Sequence, residues 1–357
     1  MNKLVVISQK FLPPYDEGFK NTILNIINFM VKKENVFFIT DNYFCKMDRS
    51  FYCNLNRTFL DLNLFKLLKN ISPNLILYIP HSSITLASLL RTQILKLLHF
   101  KAKVIVLALQ FRYYSVLKQK FLNFLKFDGI IFSSHKMKNE FLYLKKPYTV
   151  FYAGVNLYKF KPVSSMEKQF LRKKYGFSSK DFIILHVGHL KKTRNIELIL
   201  KLTENKDYYF CLVLSSTTKK ERDEELWKEL IKRKNIFIID QSLTNIEEIY
   251  QLSDCYIFPV QTRIGATEVP LSVLEAMAVN LPVVTTLYGA LPEMFSHNPQ
   301  KGFYFAQTEE DFSRYLKEIS RRSNFSTREM VKDFSWEKRV EDLYQKLINW
   351  PGPYEKG

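Results

Sequence analysis

The chain has 357 residues, 46% of them hydrophobic, and no apolar run approaches the about 20 residues of a membrane-crossing helix. That length is more than one hydrophobic core usually serves, so two domains are expected. The net charge of +18 is uneven: residues 1–160 carry 23 Lys and Arg against 8 Asp and Glu, a balance of +15, whereas residues 161–357 carry 30 against 27, a balance of +3, which points to an anionic partner for the first half.

The opening, MNKLVVISQKF, is too short in its apolar part for an export signal and reads as a first strand. Four cysteines, Cys45, Cys53, Cys211 and Cys255, form no Cys-x-x-Cys pair; reduced thiols and a cytoplasmic setting are the expectation. Strand-like runs follow in order: KLVVIS, VFFIT, LILYI, VIVLAL and GIIFSS before residue 150, then FIILHVG, YFCLVLSS, IFIID, CYIFPV and PVVTT after 180. Amphipathic stretches such as Thr22–Lys32, Ile84–Leu98 and Asn245–Leu252 lie between them. Such alternation predicts parallel sheets covered on both faces. The two series, divided near GVNLYKFKPVSS, predict two doubly wound domains, with ligands at the loops leading into helices.

Four loops stand out. In FLPPYDEGFKN, Gly18 permits close backbone approach before a helix start that offers N–H groups to an anion. YAGVNLYKFKP, Tyr152 to Pro162, marks the boundary between domains. In LHVGHLKKTRNIELIL, a strand ends at Gly188, and His189, Lys191, Lys192 and Arg194 crowd toward a helix start near Asn195, a chemistry suited to a diphosphate. In TEVPLSVLEAMAVNLPVVTT, Pro270 suits a first helical turn. Leu271 and Ser272 then present backbone N–H groups without helical partners. Glu275 is a single carboxylate amid Leu, Val, Ala and Met.

Together these loops resemble glycosyltransferase family 4, the retaining nucleotide-sugar transferases. The resemblance rests on AGVNLYKFKP, VGHLKKTRN, PLSVLEAMAVNLPVVTTLYGALPE with its trailing Pro-Glu, and the Trp-containing FSWEKRVEDLY. It runs from residue 1 to about 348, more specific in the second half than in the first. It implies an α/β protein of GT-B fold: two doubly wound Rossmann-like domains facing a central cleft. Residues 1–160 would form the acceptor-binding domain and 161–336 the nucleotide-sugar-binding domain. Residues 337–357 would form a C-terminal helix crossing back to the first domain.

The resemblance also implies roles. Glu275 falls where the family holds the ribose hydroxyls, Leu271 and Ser272 where backbone amides meet the distal phosphate, and Arg194 at the basic diphosphate residue. Gly18 matches the small-residue loop that closes on the phosphate, and Gly188 the glycine before the basic loop. The chain departs from the family at several points. The first glutamate of the signature, eight residues before Glu275, is replaced by Thr267, with Glu268 one residue further on; either a one-residue shift lets Glu268 serve or Thr267 takes its place. His189 stands for the usual arginine, and Gln110 for the usual histidine after VIVLAL, while His81 is a further candidate for the same cleft.

The implied reaction is glycosyl transfer with retention from a nucleotide-diphosphate sugar, a UDP- or GDP-sugar, with no cofactor. No Asp-x-Asp occurs in the chain, so no metal site is expected. The implied acceptor is a glycan or lipid-linked sugar, such as a precursor of a surface polysaccharide or glycolipid. The basic first half, with the stretches Leu89–Lys103 and Arg112–Phe127 read as basic amphipathic helices, adds the expectation of peripheral docking on an anionic membrane surface, the inner face of the cell membrane. Three rival readings are a GT-B protein that binds donor without turnover, another GT-B enzyme such as a nucleotide-sugar epimerase or a phosphorylase, and a basic nucleic-acid-binding protein. No recognition motif for nucleic acid occurs, and no nucleic-acid partner is expected.

Overall fold

A computed structural model describes residues 2–9, 12–15, 17–42, 48–55, 58–81 and 83–350. By its internal contacts the chain divides into two units. The first comprises Met1–Ala153, Thr267–Val269 and Trp336–Gly357, the second Gly154–Ala266 and Pro270–Ser335. The division differs from a boundary at residue 160. Val155 bridges Ser335, and the Arg328 guanidinium donates to the carbonyls of Phe160 and Leu157 at 2.7 and 2.9 Å, which holds this segment in the second unit.

The first unit contains β1 (Leu4–Ser8), α1 (Gly18–Met30), β2 (Val36–Thr40), β3 (Ser50–Tyr52), α2 (Leu62–Ile71), β4 (Leu75–Ile79), α3 (Leu86–Leu98), β5 (Lys103–Ala108), α4 (Val116–Leu122), β6 (Gly129–Phe132), α5 (His135–Glu140) and β7 (Tyr148–Val150). Its sheet is parallel, in the order β3-β2-β1-β4-β5-β6-β7. β1 and β4 are buried along their whole length, as strands covered on both faces must be. Leu64, Leu68, Leu89, Leu95, Leu122 and Met137 share one core against the sheet, so α2, α3, α4 and α5 form one layer.

The second unit contains α6 (Ser165–Lys174), β8 (Phe182–Gly188), α7 (Ile196–Leu202), β9 (Tyr208–Leu214), α8 (Glu224–Ile231), β10 (Ile236–Ile239), α9 (Ile246–Leu252), β11 (Cys255–Phe258), α10 (Leu271–Ala278), β12 (Val283–Thr285), α11 (Leu291–Met294), β13 (Phe303–Phe305), α12 (Glu309–Ile319) and α13 (Thr327–Val331). Its sheet is again parallel, in the order β10-β9-β8-β11-β12-β13. The last helix, α14 (Trp336–Ile348), packs on α1 in the first unit. Ile23, Ile26, Ile27 and Met30 recur at helical spacing on α1, and Trp336, Val340, Leu343 and Leu347 on α14, so each helix has one apolar stripe to bury. Trp350 follows, its indole N–H donating to the Asp128 carbonyl at 3.2 Å. A Cβ at Gly129 would stand 2.0 Å from that indole, which is why glycine begins β6.

The two stretches read as long basic amphipathic helices are shorter than expected. Residues 89–103 leave the helix at Leu98, because the β-branched run from Lys103 pairs with β4. Residues 112–127 are helical only over Val116–Leu122. Residues 351–357, within the expected C-terminal helix, and Cys45 lie outside the described residues. Cys53, Cys211 and Cys255 are buried free thiols. Among the described residues no helix is long and apolar enough to cross a membrane.

Candidate active site

In each sheet the strand order reverses once, between β1 and β4 in the first unit and between β8 and β11 in the second. Doubly wound sheets bind ligands outside the strand ends at such a switch point. The loops leaving β8 and β11 are locked together. The Asn195 amide donates to the Pro259 carbonyl at 3.1 Å. Any Cβ on Gly265 would approach the Thr193 carbonyl to 2.6 Å. Tyr288 Oη accepts from the Ala266 N–H at 2.8 Å and donates to its carbonyl at 2.7 Å, fixing the chain just before Thr267.

Arg194 ends a 3-10 turn at Lys192–Arg194 and is buried. Burial lowers its pKa, with Tyr288 and Tyr256 opposing the shift. Its Nε is buried without a hydrogen-bond partner. A Cβ at Gly188 would sit 3.4 Å from Arg194 Nη1 and 3.2 Å from His186 Nε2, so the glycine lets the guanidinium lie at the strand end. The other basic residues of this loop are engaged elsewhere. Lys191 pairs with Glu221 at 2.6 Å, and Lys192 reaches Asp223 and Glu225 at 3.8 and 3.6 Å. His189 is half-buried, its carbonyl accepting from the Lys191 N–H. Of the crowded cations, Arg194 is the one placed at the switch point without a carboxylate.

Pro270 is the N-cap of α10 rather than its first helical residue, with ψ of 107°. Leu271 and Ser272 therefore begin the helix, and their N–H groups precede its first i→i−4 bond. Six of the eight α10 residues are buried; the exceptions are Ser272 and Glu275, three apart on one face. Glu275 accepts a hydrogen bond from Tyr250 Oη at 2.8 Å. Burial nevertheless pushes its carboxyl up to about 7, with the Tyr250 bond and Lys159 pulling the other way. Tyr256, its ring 5.9 Å from that of Tyr250, shares a hydrogen bond with the Ser272 side chain. Arg194, Ser272, Glu275 and two tyrosines are thus drawn into one interacting group.

Three residues here escaped the sequence reading. Tyr250 and Tyr256 orient the polar face of α10, and His186 lies beneath Gly188. His186 is fully buried, and burial drives its pKa down to about 4, so the imidazole is neutral. Its Nδ1 lies 3.1 Å from the Ile257 carbonyl, which needs a proton there and leaves Nε2 as a bare acceptor. The signal for His186 was present in LHVGH, where a polar side chain interrupts an apolar strand close to its C-terminal end.

The remaining candidates lie in the first unit, beyond the ends of β1, β4, β5 and β6. Gly18 opens α1 after an N-cap, Glu17, that makes no side-chain capping bond. The neighbouring Phe19 ring meets His81 edge-on at 4.7 Å. Ser83 Oγ donates to the Gln110 carbonyl, which ties the loop after β4 to the end of β5. Glu268, only 1% exposed, donates its N–H to the Leu109 carbonyl at 3.0 Å and accepts from Ser134 Oγ at 2.9 Å. Thr267 Oγ1 donates to the Val269 carbonyl at 3.0 Å. Among the described residues no group of three or more His, Cys, Asp or Glu could hold a metal ion.

Residues 167–338, which carry the whole β8–α10 site, match the family described as glycosyl transferases group 1. That match covers just under half of the chain. The chain is 28% identical over 137 residues to the putative glycosyltransferase EpsD of Bacillus subtilis, covering 37% of this chain and 35% of that protein. It thus spans about a third of the length of this curated relative. Among solved structures, a glycosyltransferase from Rickettsia africae superposes with a TM-score of 0.74 at 16% identity, covering 98% of this chain and all of that one. HepE of Anabaena, solved in complex with UDP-glucose, superposes with a TM-score of 0.72 at 14% identity, over 98% of this chain and all of that one. The fold is therefore GT-B, two parallel-sheet Rossmann-like domains.

Proposed function

We propose that the chain transfers a sugar from a nucleoside-diphosphate sugar to a hydroxyl-bearing acceptor, with retention at the anomeric carbon. The observation that carries this reading is Glu275. It is a carboxylate sunk into an otherwise apolar helix and held by one tyrosine. A carboxylate with lone pairs to spare recovers its lost hydration by accepting from the two adjacent hydroxyls of a ribose. The donor's distal phosphate then meets the open amides of Leu271 and Ser272 and the Arg194 guanidinium. These are donors already aimed at the charge that builds as the nucleoside diphosphate departs. They do electrostatically what a bound cation would do, so turnover should survive a chelator. HepE was solved with UDP-glucose, which favours a uridine donor here.

The acceptor falls to the first unit, where the start of α1 at Gly18 offers amides to an anion and His81 and Gln110 offer hydrogen bonds to hydroxyls. A glycan or lipid-linked sugar on an anionic membrane surface fits the +15 balance of residues 1–160. A second reading, donor binding without turnover, is favoured by one observation: Thr267 and Glu268 both spend their side chains within the chain. The two readings are separated by incubating the protein with nucleotide sugars and a lipid extract, and following release of nucleoside diphosphate. The Glu275 assignment is tested by calorimetry. Glu275→Ala should weaken nucleoside diphosphate binding at least tenfold, since a charged hydrogen bond is worth about 1.5–3 kcal/mol. An unchanged affinity in the folded variant removes Glu275 from the site.

A further inference from the structure

From Leu62 to Phe127 the chain holds ten Lys and Arg and no Asp or Glu. This span supplies α2, α3 and α4, whose inner sides share one core, so their outer sides form a surface without a single carboxylate of its own. The segment around α4 is the most unusual part. Leu122, Leu125 and Phe127 anchor it, while Leu117 and Phe124 stand 79% and 80% exposed, with Tyr113, Val116 and Phe121 also turned outward. Arg112, Lys118, Lys120 and Lys126 are exposed beside them, and among the described residues none of the four enters an ion pair. The Lys126 N–H donates to Gln93 Oε1 at 2.6 Å, joining this segment to α3. There Leu97 and the following Phe100 are exposed at 69% and 73%.

Single exposed leucines need no explanation, but a cluster of leucine and phenylalanine rimmed by unpaired cations marks a docking surface. Its chemistry narrows the partner. A second copy of the chain would bring its own cations against these. A nucleic acid would satisfy the lysines but leave Leu97, Val116 and Leu117 facing phosphates. An anionic bilayer answers both features, since it presents phosphates at its surface and acyl chains just beneath.

We propose that the α3–α4 face of the first unit docks on an anionic phospholipid bilayer, with Leu117, Phe121 and Phe124 entering the interface and Arg112, Lys118, Lys120 and Lys126 at the headgroups. This sharpens the acceptor side of the proposed function, and its test does not depend on donor chemistry. The full chain is sedimented with vesicles of phosphatidylcholine alone or mixed with phosphatidylglycerol, at low and high salt. Binding should require phosphatidylglycerol, and a salt-resistant part should persist where charge is screened. The variant K118E/K120E/K126E should lose at least about a hundredfold in partitioning at low salt. The variant L117S/F121S/F124S alters only exposed side chains and so keeps the fold; it should lose the salt-resistant part. Nucleoside diphosphate affinity by calorimetry should match wild type in both variants. The proposal is overturned if anionic vesicles do not bind the protein at low salt, or if the serine variant binds them as tightly as wild type at high salt. It is equally overturned if the serine substitutions abolish a concentration-dependent dimer instead, which would make a second copy the occupant.

Discussion

In the second unit, Lys168 and Arg172 both reach Asp254, whose second oxygen also accepts from the Ile183 N–H, and Lys174 pairs with Glu248. In the first unit, Arg112, Lys118, Lys120 and Lys126 stand exposed with no acid within the span that carries them. The two units share a topology, yet these second-unit cations are neutralised internally and these first-unit cations face outward. Arg194 of the second unit differs from both, buried and without a carboxylate, at the strand reversal. An unpaired cation on a surface costs little and attracts a large anionic partner. One buried at a strand end costs stability, and under the proposed function a diphosphate would supply its counter-charge.

Three measurements probe this contrast. The largest effect should come from Asp254→Ala, which leaves the buried Arg172 without its carboxylate and removes one partner each from Lys168 and the Ile183 amide. Breaking such a group should destabilise the second unit by about 3 kcal/mol in denaturant unfolding. A loss below about 1 kcal/mol would show that the network is ornamental. Next, Arg194→Ala should lower turnover by about 10²–10³, as loss of a preorganised donor does, and should reduce nucleoside monophosphate affinity far less. Because Arg194 has no acidic partner, thermal stability should hold, unlike that of Asp254→Ala. Equal loss for mono- and diphosphate would place Arg194 away from the distal phosphate.

The smallest effect concerns pH. The folded-state carboxyl of Glu275 sits near 7, above the ordinary 4.5. Its stabilising contribution is therefore complete below pH 4.5 and is lost as pH rises through 7. Glu275→Gln, which cannot ionise, should melt at a higher temperature than wild type at pH 8 and close to it at pH 5. Nucleoside diphosphate affinity of the wild type should rise between pH 6 and 8, as the ionised form that accepts ribose hydroxyls is populated, and the glutamine variant should lack this rise. A flat wild-type profile in both assays would mean that the carboxyl titrates well below 7.

The ten strands expected from sequence all form, because each is a run of apolar residues long enough to stand out. The three that went unread, β3, β7 and β13, are three-residue strands at sheet edges. Their pairing comes from a neighbour already in place, and so few residues show no period of their own. The same distinction runs through the site. Pro270, Gly188 and the lone carboxylate of α10 announced themselves in one dimension, since each departs from its immediate surroundings. Which cation of His189–Arg194 lies at the strand end did not, because acids at and just before the start of α8 draw Lys191 and Lys192 away from about 30 positions along the chain.

The sequence by itself determined the alternation of strand and helix, the two-part organisation, the uneven charge and the isolation of Glu275 as a lone carboxylate in an apolar helix, for all of these follow from local composition and spacing. Only the tertiary structure decided that Tyr250 meets Glu275 and Tyr256 meets Ser272, that burial carries a carboxyl to about 7, that Glu268 turns to Ser134, and that Leu117 and Phe124 face outward. Each of those depends on which distant side chain fills the neighbouring space, and burial and hydrogen-bond partners are properties of that packing rather than of any stretch of chain.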